Sequence, residues 1–375
     1  MVVLGGGMGG LAASSLLVKQ APKASITIVE QRKSFEFPPS YPLVALGMRR
    51  PKQVQRDLSS LRKKKIRIVN ARVKSIEPSS RLVRTDSQEI QFDHLIIALG
   101  TEYSPEDVSG FEEYAQQFYD LGSAMKLHDA LGNFAGETIA VGVTRTPFRC
   151  PAAPYEMALM LEDRFKRMKK KVRIEFFTPE PQPIPAAGVV LGRQVERLLE
   201  SRGIKYHPKE KVSRIEDRKI LFDSQNSLAY DLLVAVPPHR CPKPVVDAGL
   251  TDSSGWVPVS PQTLATKFEN VYAIGDVTAI ETPHGHVPFL PKAGTFANGQ
   301  AAVVANNISQ SINGKGERKV WDGTGSCFLD VSISETAYLQ GRFLANPPVL
   351  EFHPPRRKWH NDRMNEEKQW MSKWF

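Results

Sequence analysis

Val2–Gly10 reads VVLGGGMGG. A short apolar run suited to a buried strand breaks into glycines, and an apolar helical pattern, Leu11–Lys19, follows directly. The glycines fall as G-x-G-x-x-G at Gly5, Gly7 and Gly10, with Gly9 beside the last. At a strand-to-helix turn this spacing admits a pyrophosphate to bare backbone at the helix N-terminus, where free N–H groups and the helix dipole favour an anion. A second apolar run, Ile26–Val29, ends at Glu30, 20 residues past Gly10, where an acid can accept hydrogen bonds from a ribose. A lone glycine pattern is weak, but in this βαβ setting with its acid it favours a dinucleotide-binding unit over a ligand-free turn.

Working outward, short strands are predicted at Ile66–Val69, Arg72–Ile76, Leu82–Thr85 and His94–Leu99, the last inside LIIALGT, which closes on Gly100-Thr101. The polar stretch Glu102–Gly110 reads as a crossover to a second unit. That unit carries strands at Thr138–Val143, Val172–Phe177 and Leu232–Val236 and helices at Pro154–Lys170 and Gly188–Ser201, a second Rossmann-like half. Its first turn has lost the glycines: after Val143 the chain reads TRTPFRCP, Thr144–Pro151. Residues from Cys241 return to the first unit through a strand in Thr266–Asp276 ending in Gly-Asp, then Pro291–Gly294 (PKAG) and a helix to about Ile312. The expected fold is α/β with two Rossmann-like dinucleotide-binding domains and a small C-terminal region. Residues 1–108 and 239–314 would make the first domain, 109–238 the second, and 315–375 the remainder.

In the altered turn, Cys150 precedes a helix opening with Pro151 or Pro154, and Arg149 adjoins it. A helix N-terminus and a guanidinium both lower a thiol's pKa. The alternative is a small apolar residue packed under a turn. Glu156, six residues on, could relay a proton or could simply be a first-turn acid that suits the dipole.

At 375 residues with 41% hydrophobic content, the chain can bury two substantial cores. No apolar run is long enough for a transmembrane helix, and no signal peptide is evident, so a cytoplasmic or peripheral membrane location is expected. Three cysteines, Cys150, Cys241 and Cys327, are too few for a disulfide framework. The net charge of +10 favours anionic partners, but no nucleic-acid-binding motif is present. His128, His207 and His239 lack metal-ligand spacing, and no metal site is expected.

Four segments together resemble the FAD-dependent flavoproteins with two dinucleotide-binding domains: GGGMGG with Glu30, LIIALGT, Thr266–Asp276, and PKAG. The resemblance implies that Gly5, Gly7, Gly9, Gly10 and Glu30 hold the ADP part of FAD, with the Val73 backbone at the adenine. Gly100 and Asp276 would lie along the cofactor chain, and Lys292 and Gly294 along the flavin. Within this group FRCPAAPYE and GTGSCFLD resemble the sulfide:quinone oxidoreductase family, where Cys150 and Cys327 would be a redox pair beside the flavin. Sulfide and a quinone are then the implied substrates, with sulfane sulfur or polysulfide as product. Glu156 would handle protons.

Two relatives stand near. Type II NADH dehydrogenases keep the second glycine-rich loop, which this chain lacks. Flavocytochrome c sulfide dehydrogenases share the FRCP pattern but attach FAD to a cysteine in a segment matching Phe35–Gly47, which holds none here, so FAD is expected to be non-covalent. Such a cytochrome-reducing enzyme, or a redox-sensing flavoprotein without fast turnover, is the alternative reading. The family often carries a further cysteine in its N-terminal half, absent from Met1–Arg149; Cys241 is read as structural. In the tail, Trp370, Met371, Trp374 and Phe375 share one helical face amid Arg356, Arg357, Lys358, Lys368 and Lys373. This face is expected on an anionic membrane surface, the competing arrangement being a helix docked on its own core or another subunit.

Overall fold

A computed structural model describes residues 1–283 and 287–375. Val2–Leu4 forms the centre of a five-stranded sheet ordered Val271–Ala273, Leu95–Ile97, Val2–Leu4, Ile26–Val29, Ile66–Val69, every pair parallel. The inner strands read as near-continuous apolar runs because helices cover a parallel sheet on both faces, whereas the edge strand Ile66–Val69 exposes Arg67. Helix Met8–Gln20 follows the glycines and packs against the long helix Gly294–Asn313.

The second half repeats this plan. Its sheet runs Ala115–Gln116, Leu232–Val236, Thr138–Val143, Arg173–Phe177, Lys205–His207, again all parallel. Each half also carries a three-stranded antiparallel sheet, at residues 73–91 and 212–229. The α/β fold with two Rossmann-like halves is therefore borne out. Two crossings join the halves, and they pair with one another antiparallel, Glu102 opposite Arg240 and Tyr103 opposite His239.

The C-terminal region is more ordered than its sequence suggested. Thr324–Asp330, Thr336–Arg342 and Val349–Arg356 form an antiparallel sheet, and helix Arg357–Lys373 follows. The expected membrane-facing aromatic surface of that helix needs correction. Trp370, Met371 and Trp374 are only 7%, 4% and 4% exposed. Trp370 stacks on Phe35 and tilts against Phe37, with ring centroids 6.4 and 6.1 Å away, and Phe375 meets Phe35 at 5.6 Å. The helix docks on its own core because Phe35 and Phe37 offer an apolar seat that the tail's sequence alone does not reveal. Among the described residues no helix is long and apolar enough to cross a membrane.

Candidate functional site

The glycine turn is shaped by two close approaches. Gly5 has φ +101°, and a Cβ on it would lie 2.3 Å from the Ala98 carbonyl oxygen; one on Gly10 would lie 1.9 Å from that of Gly5. Gly10 thus lets the helix press against the strand, whereas a Cβ on Gly7 would enter open space in the cavity. Gly6 N–H donates to Glu30 at 2.8 Å, and Arg32 Nε approaches the same carboxylate at 3.2 Å. Burial pushes Glu30 up, but Arg32 and the backbone donors outweigh it and hold the carboxyl below its ordinary range.

From this turn a cavity of about 970 Å³ runs across the molecule. Gly5, Gly7, Gly9, Glu30, Val73, Gly100, Asp276 and Gly294 line it, and at its far end so do Cys150, Glu156 and Cys327. One buried oxygen of Asp276, Oδ1, has no hydrogen-bond partner. An extended ligand with a phosphate-bearing end and hydroxyls along its chain fits these features: bare backbone at Gly7, a carboxylate at Glu30, an acceptor at Asp276.

Lys292 stands differently from its expected place along the flavin. Its ammonium donates to the carbonyls of Asp276 (2.7 Å) and Thr278 (3.2 Å), lies 3.4 Å from the Trp256 ring centroid, and is absent from the cavity lining. Burial lowers its pKa to about 8. What Lys292 gives the site is backbone: its carbonyl accepts the Cys150 N–H at 2.7 Å.

That bond fixes one side of the altered turn, and the bond from Ala153 N–H to the Cys150 carbonyl, 2.9 Å, fixes the other. Between them Cys150 adopts φ +57°, a left-handed conformation uncommon for a residue with a side chain and concentrated at functional sites. Helix Ala153–Arg167 then begins. Cys327 arrives from strand Thr324–Asp330, which Thr295 ties to helix Gly294–Asn313 through a 2.9 Å bond to the Ser326 carbonyl. Both thiols line this cavity as free cysteines, near enough for each to shift the other's titration, and Cys327 Sγ donates to the Phe328 carbonyl at 3.3 Å. The Cys327 hydrogen bond, with help from Arg149, outweighs burial and lowers the Cys150 pKa; the same pairing, with burial, pushes Cys327 well up. The site therefore holds one cysteine disposed to ionise and one disposed to stay protonated. Glu156 is buried beside them, and burial, then Asp330, push its carboxyl well above the usual range against Arg363.

Sequence reasoning placed Arg149 beside Cys150 but missed its aromatic setting and the other residues that shape the site. Arg149 donates to the Tyr119 carbonyl at 2.7 Å and lies over the rings of Tyr103 and Tyr119. His239 packs edge-on to both tyrosines, and burial, then Arg149, lower its pKa to about 3, leaving a neutral ring. Asp330 is fully buried, and Arg363, almost so, approaches it at 3.7 Å from the C-terminal helix. Arg363 was hidden in a tail whose other cations read as facing an anionic membrane surface; Asp330 carried one available signal, its place three residues past Cys327. Cys241 lies off the cavity in an apolar cluster with Val73, Val245 and Trp256, and burial raises its thiol to about 12.

A sequence profile described as "Pyridine nucleotide-disulphide oxidoreductase" matches residues 1–303. The sulfide-quinone reductase of Aquifex aeolicus (strain VF5) is 28% identical, over 96% of this chain and 85% of that protein. The mitochondrial sulfide:quinone oxidoreductase of Mus musculus is 24% identical, over 94% and 80%. The crystal structure of the Aquifex aeolicus sulfide:quinone oxidoreductase superposes with a TM-score of 0.91 at 25% identity, covering all of this chain and 90% of that one.

Proposed function

This chain belongs to the pyridine nucleotide-disulphide oxidoreductase family, and from that premise we propose that it oxidises sulfide to sulfane sulfur through Cys150 and Cys327 and delivers the electrons to a quinone. It is an oxidoreductase with FAD as cofactor. Sulfide and quinone are the substrates named by its relatives. The observation that carries the reading is the convergence of Cys150 and Cys327, from separate parts of the chain, on the same cavity that the expected FAD-binding residues line.

Gly5, Gly7, Glu30 and Asp276 would hold FAD, without a covalent bond because the segment Phe35–Gly47 contains no cysteine. Bound there, FAD supplies a two-electron carrier between the sulfur and the acceptor. The protein's own chemistry begins with Cys150 and Cys327 joined as a disulfide. Hydrosulfide attacks one sulfur, a new S–S bond forms as the cysteine–cysteine bond breaks, and a persulfide and a thiolate result. Arg149 stabilises the thiolate on Cys150, and Glu156 holds the proton that hydrosulfide brings.

The second half does not offer the usual nucleotide turn. Arg145 folds across it, donating to the carbonyls of Thr144 and Val212 at 2.9 and 2.5 Å, and Cys150 occupies the position where a diphosphate would need bare backbone. The test is anaerobic flavin bleaching. Sulfide should bleach the flavin, a quinone should restore it, and NADH should act far more slowly. Recovery with a cytochrome but not a quinone would move the acceptor to the cytochrome class; flavin indifferent to sulfide would leave a redox-sensing flavoprotein.

A further inference from the structure

Arg149 brings a positive charge into the cavity without a counter-ion. Its Nη2 donates to the Tyr119 carbonyl at 2.7 Å, and its guanidinium carbon lies 5.7 and 5.8 Å from the ring centroids of Tyr103 and Tyr119. Neither contact neutralises the charge. Among the described residues no carboxylate forms an ion pair with Arg149, Asp276 acting on it only from farther off, and its Nε and Nη1 have no hydrogen-bond partner. Arg363, the other guanidinium lining this end of the cavity, is paired, standing 3.7 Å from Asp330.

A charge taken out of water without a partner is costly, so the partner is to be sought among what enters the cavity. On the function proposed above, on which this inference rests, the Cys150 thiolate fills that place only after the disulfide has opened. While Cys150 and Cys327 are joined, Arg149 faces the cavity with its charge unanswered, and that is the state hydrosulfide meets. We propose that Arg149 is the docking group for the hydrosulfide anion. It holds HS⁻ beside Cys150 before attack and turns to the Cys150 thiolate afterwards. Docking itself moves no bond and no electron: the anion exchanges water for guanidinium N–H donors.

The surroundings suit an anion of this class. A guanidinium is more weakly hydrated than an ammonium and presents its donors in a fixed plane, which favours a weakly hydrated, polarisable anion. The Tyr119 carbonyl that holds it also accepts the Tyr103 hydroxyl at 2.7 Å, so the support is itself fixed. His239 packs against both rings as a neutral group and adds no charge. One unpaired charge between low-dielectric walls raises the local concentration of the opposite sign. The site should therefore take small monovalent anions and leave neutral molecules of the same size.

The probe is thiocyanate, whose C≡N stretching band reports binding by infrared spectroscopy, with acetonitrile as its neutral counterpart and sodium fluoride as the ionic-strength control. In oxidised holoenzyme the thiocyanate band should shift saturably. Thiocyanate should also raise the sulfide concentration that half-saturates anaerobic bleaching and leave the limiting rate unchanged, while acetonitrile and fluoride do neither. Arg149→Gln should weaken thiocyanate binding by about tenfold or more, as expected when a charged hydrogen-bonding partner is lost, and Arg149→Lys should recover part of it. Wild-type enzyme without saturable binding, thiocyanate that does not compete with sulfide, or unchanged affinity in Arg149→Gln overturns the docking role. A folded Arg149→Gln that loses FAD assigns the charge to the cofactor and overturns it too. Should that variant fail to fold, the wild-type competition decides alone. A wild-type enzyme that binds thiocyanate but is not bleached by sulfide overturns the proposed function instead, so the two failures are distinguishable.

Discussion

Removing Cys327 should make Cys150 a weaker acid. The Cys327 thiol is the foremost influence holding the Cys150 pKa low, and Arg149 supplies further help. A hydrogen bond to a charged acceptor contributes about 1.5–3 kcal/mol. Loss of that amount, at about 1.4 kcal/mol per tenfold, cuts the thiolate fraction by roughly ten- to hundredfold at any pH below the titration. Cys327→Ala removes the donor, whereas Cys327→Ser keeps a hydroxyl that can serve. The assay is the rate of Cys150 alkylation by iodoacetamide in pre-reduced, FAD-free protein across a pH series, with modification located by mass spectrometry. Alkylation below the titration should fall in the order wild type, Cys327→Ser, Cys327→Ala. An unchanged or faster rate in Cys327→Ala would refute the coupling, because Arg149 and the helix would then suffice.

Other outcomes can be checked alongside it. Gly10→Ala should fail to retain FAD, visible as lost flavin absorbance, because its Cβ would meet the Gly5 carbonyl at 1.9 Å. Trp370→Ala should cost about 3–5 kcal/mol in denaturant unfolding, as expected for a large buried aromatic. Glu180 is raised by burial to about 7, so the folded state binds its proton more tightly than the unfolded chain. Its contribution to stability should be complete below about pH 4.5 and fade as pH rises through 7, and Glu180→Gln should flatten that slope. Cys241→Ser should leave sulfide-driven bleaching nearly unchanged, the residue lying off the cavity.

Much of this was legible in residues alone, because the strands at 2–4, 26–29 and 138–143 are buried and mostly apolar and their turns carry distinctive chemistry. The strand expected across Thr266–Asp276 shrinks to Val271–Ala273, where a left-handed Asn270 interrupts the extended backbone. The C-terminal sheet was hidden because its outer strand, Val349–Arg356, has no fully buried residue and so lacks a clear apolar alternation. Cys150 and Glu156 could be found from local context, since both lie in one turn and helix. Asp330 and Arg363 could not be joined to them, because that contact exists only once the C-terminal sheet and helix pack against the second half. The aromatic tail misled for a related reason: an amphipathic face states that it needs covering and not what covers it.

The paired crossings at Glu102–Tyr103 and His239–Arg240 place the two ends of the second half side by side. A segment whose ends are neighbours can be removed or exchanged as one piece while the sheet that receives it remains continuous. The first half then behaves as a socket that presents FAD, and the second as a cartridge that decides where electrons come from. A glycine turn in the cartridge would accept a carried nucleotide; on the function proposed above, the cysteine turn here would put part of the donor site in the polypeptide itself. Change of fuel in such an architecture needs no redesign of the sheet that presents FAD, only a different cartridge between the same two strands and, as Cys327 shows, a matching C-terminal strand.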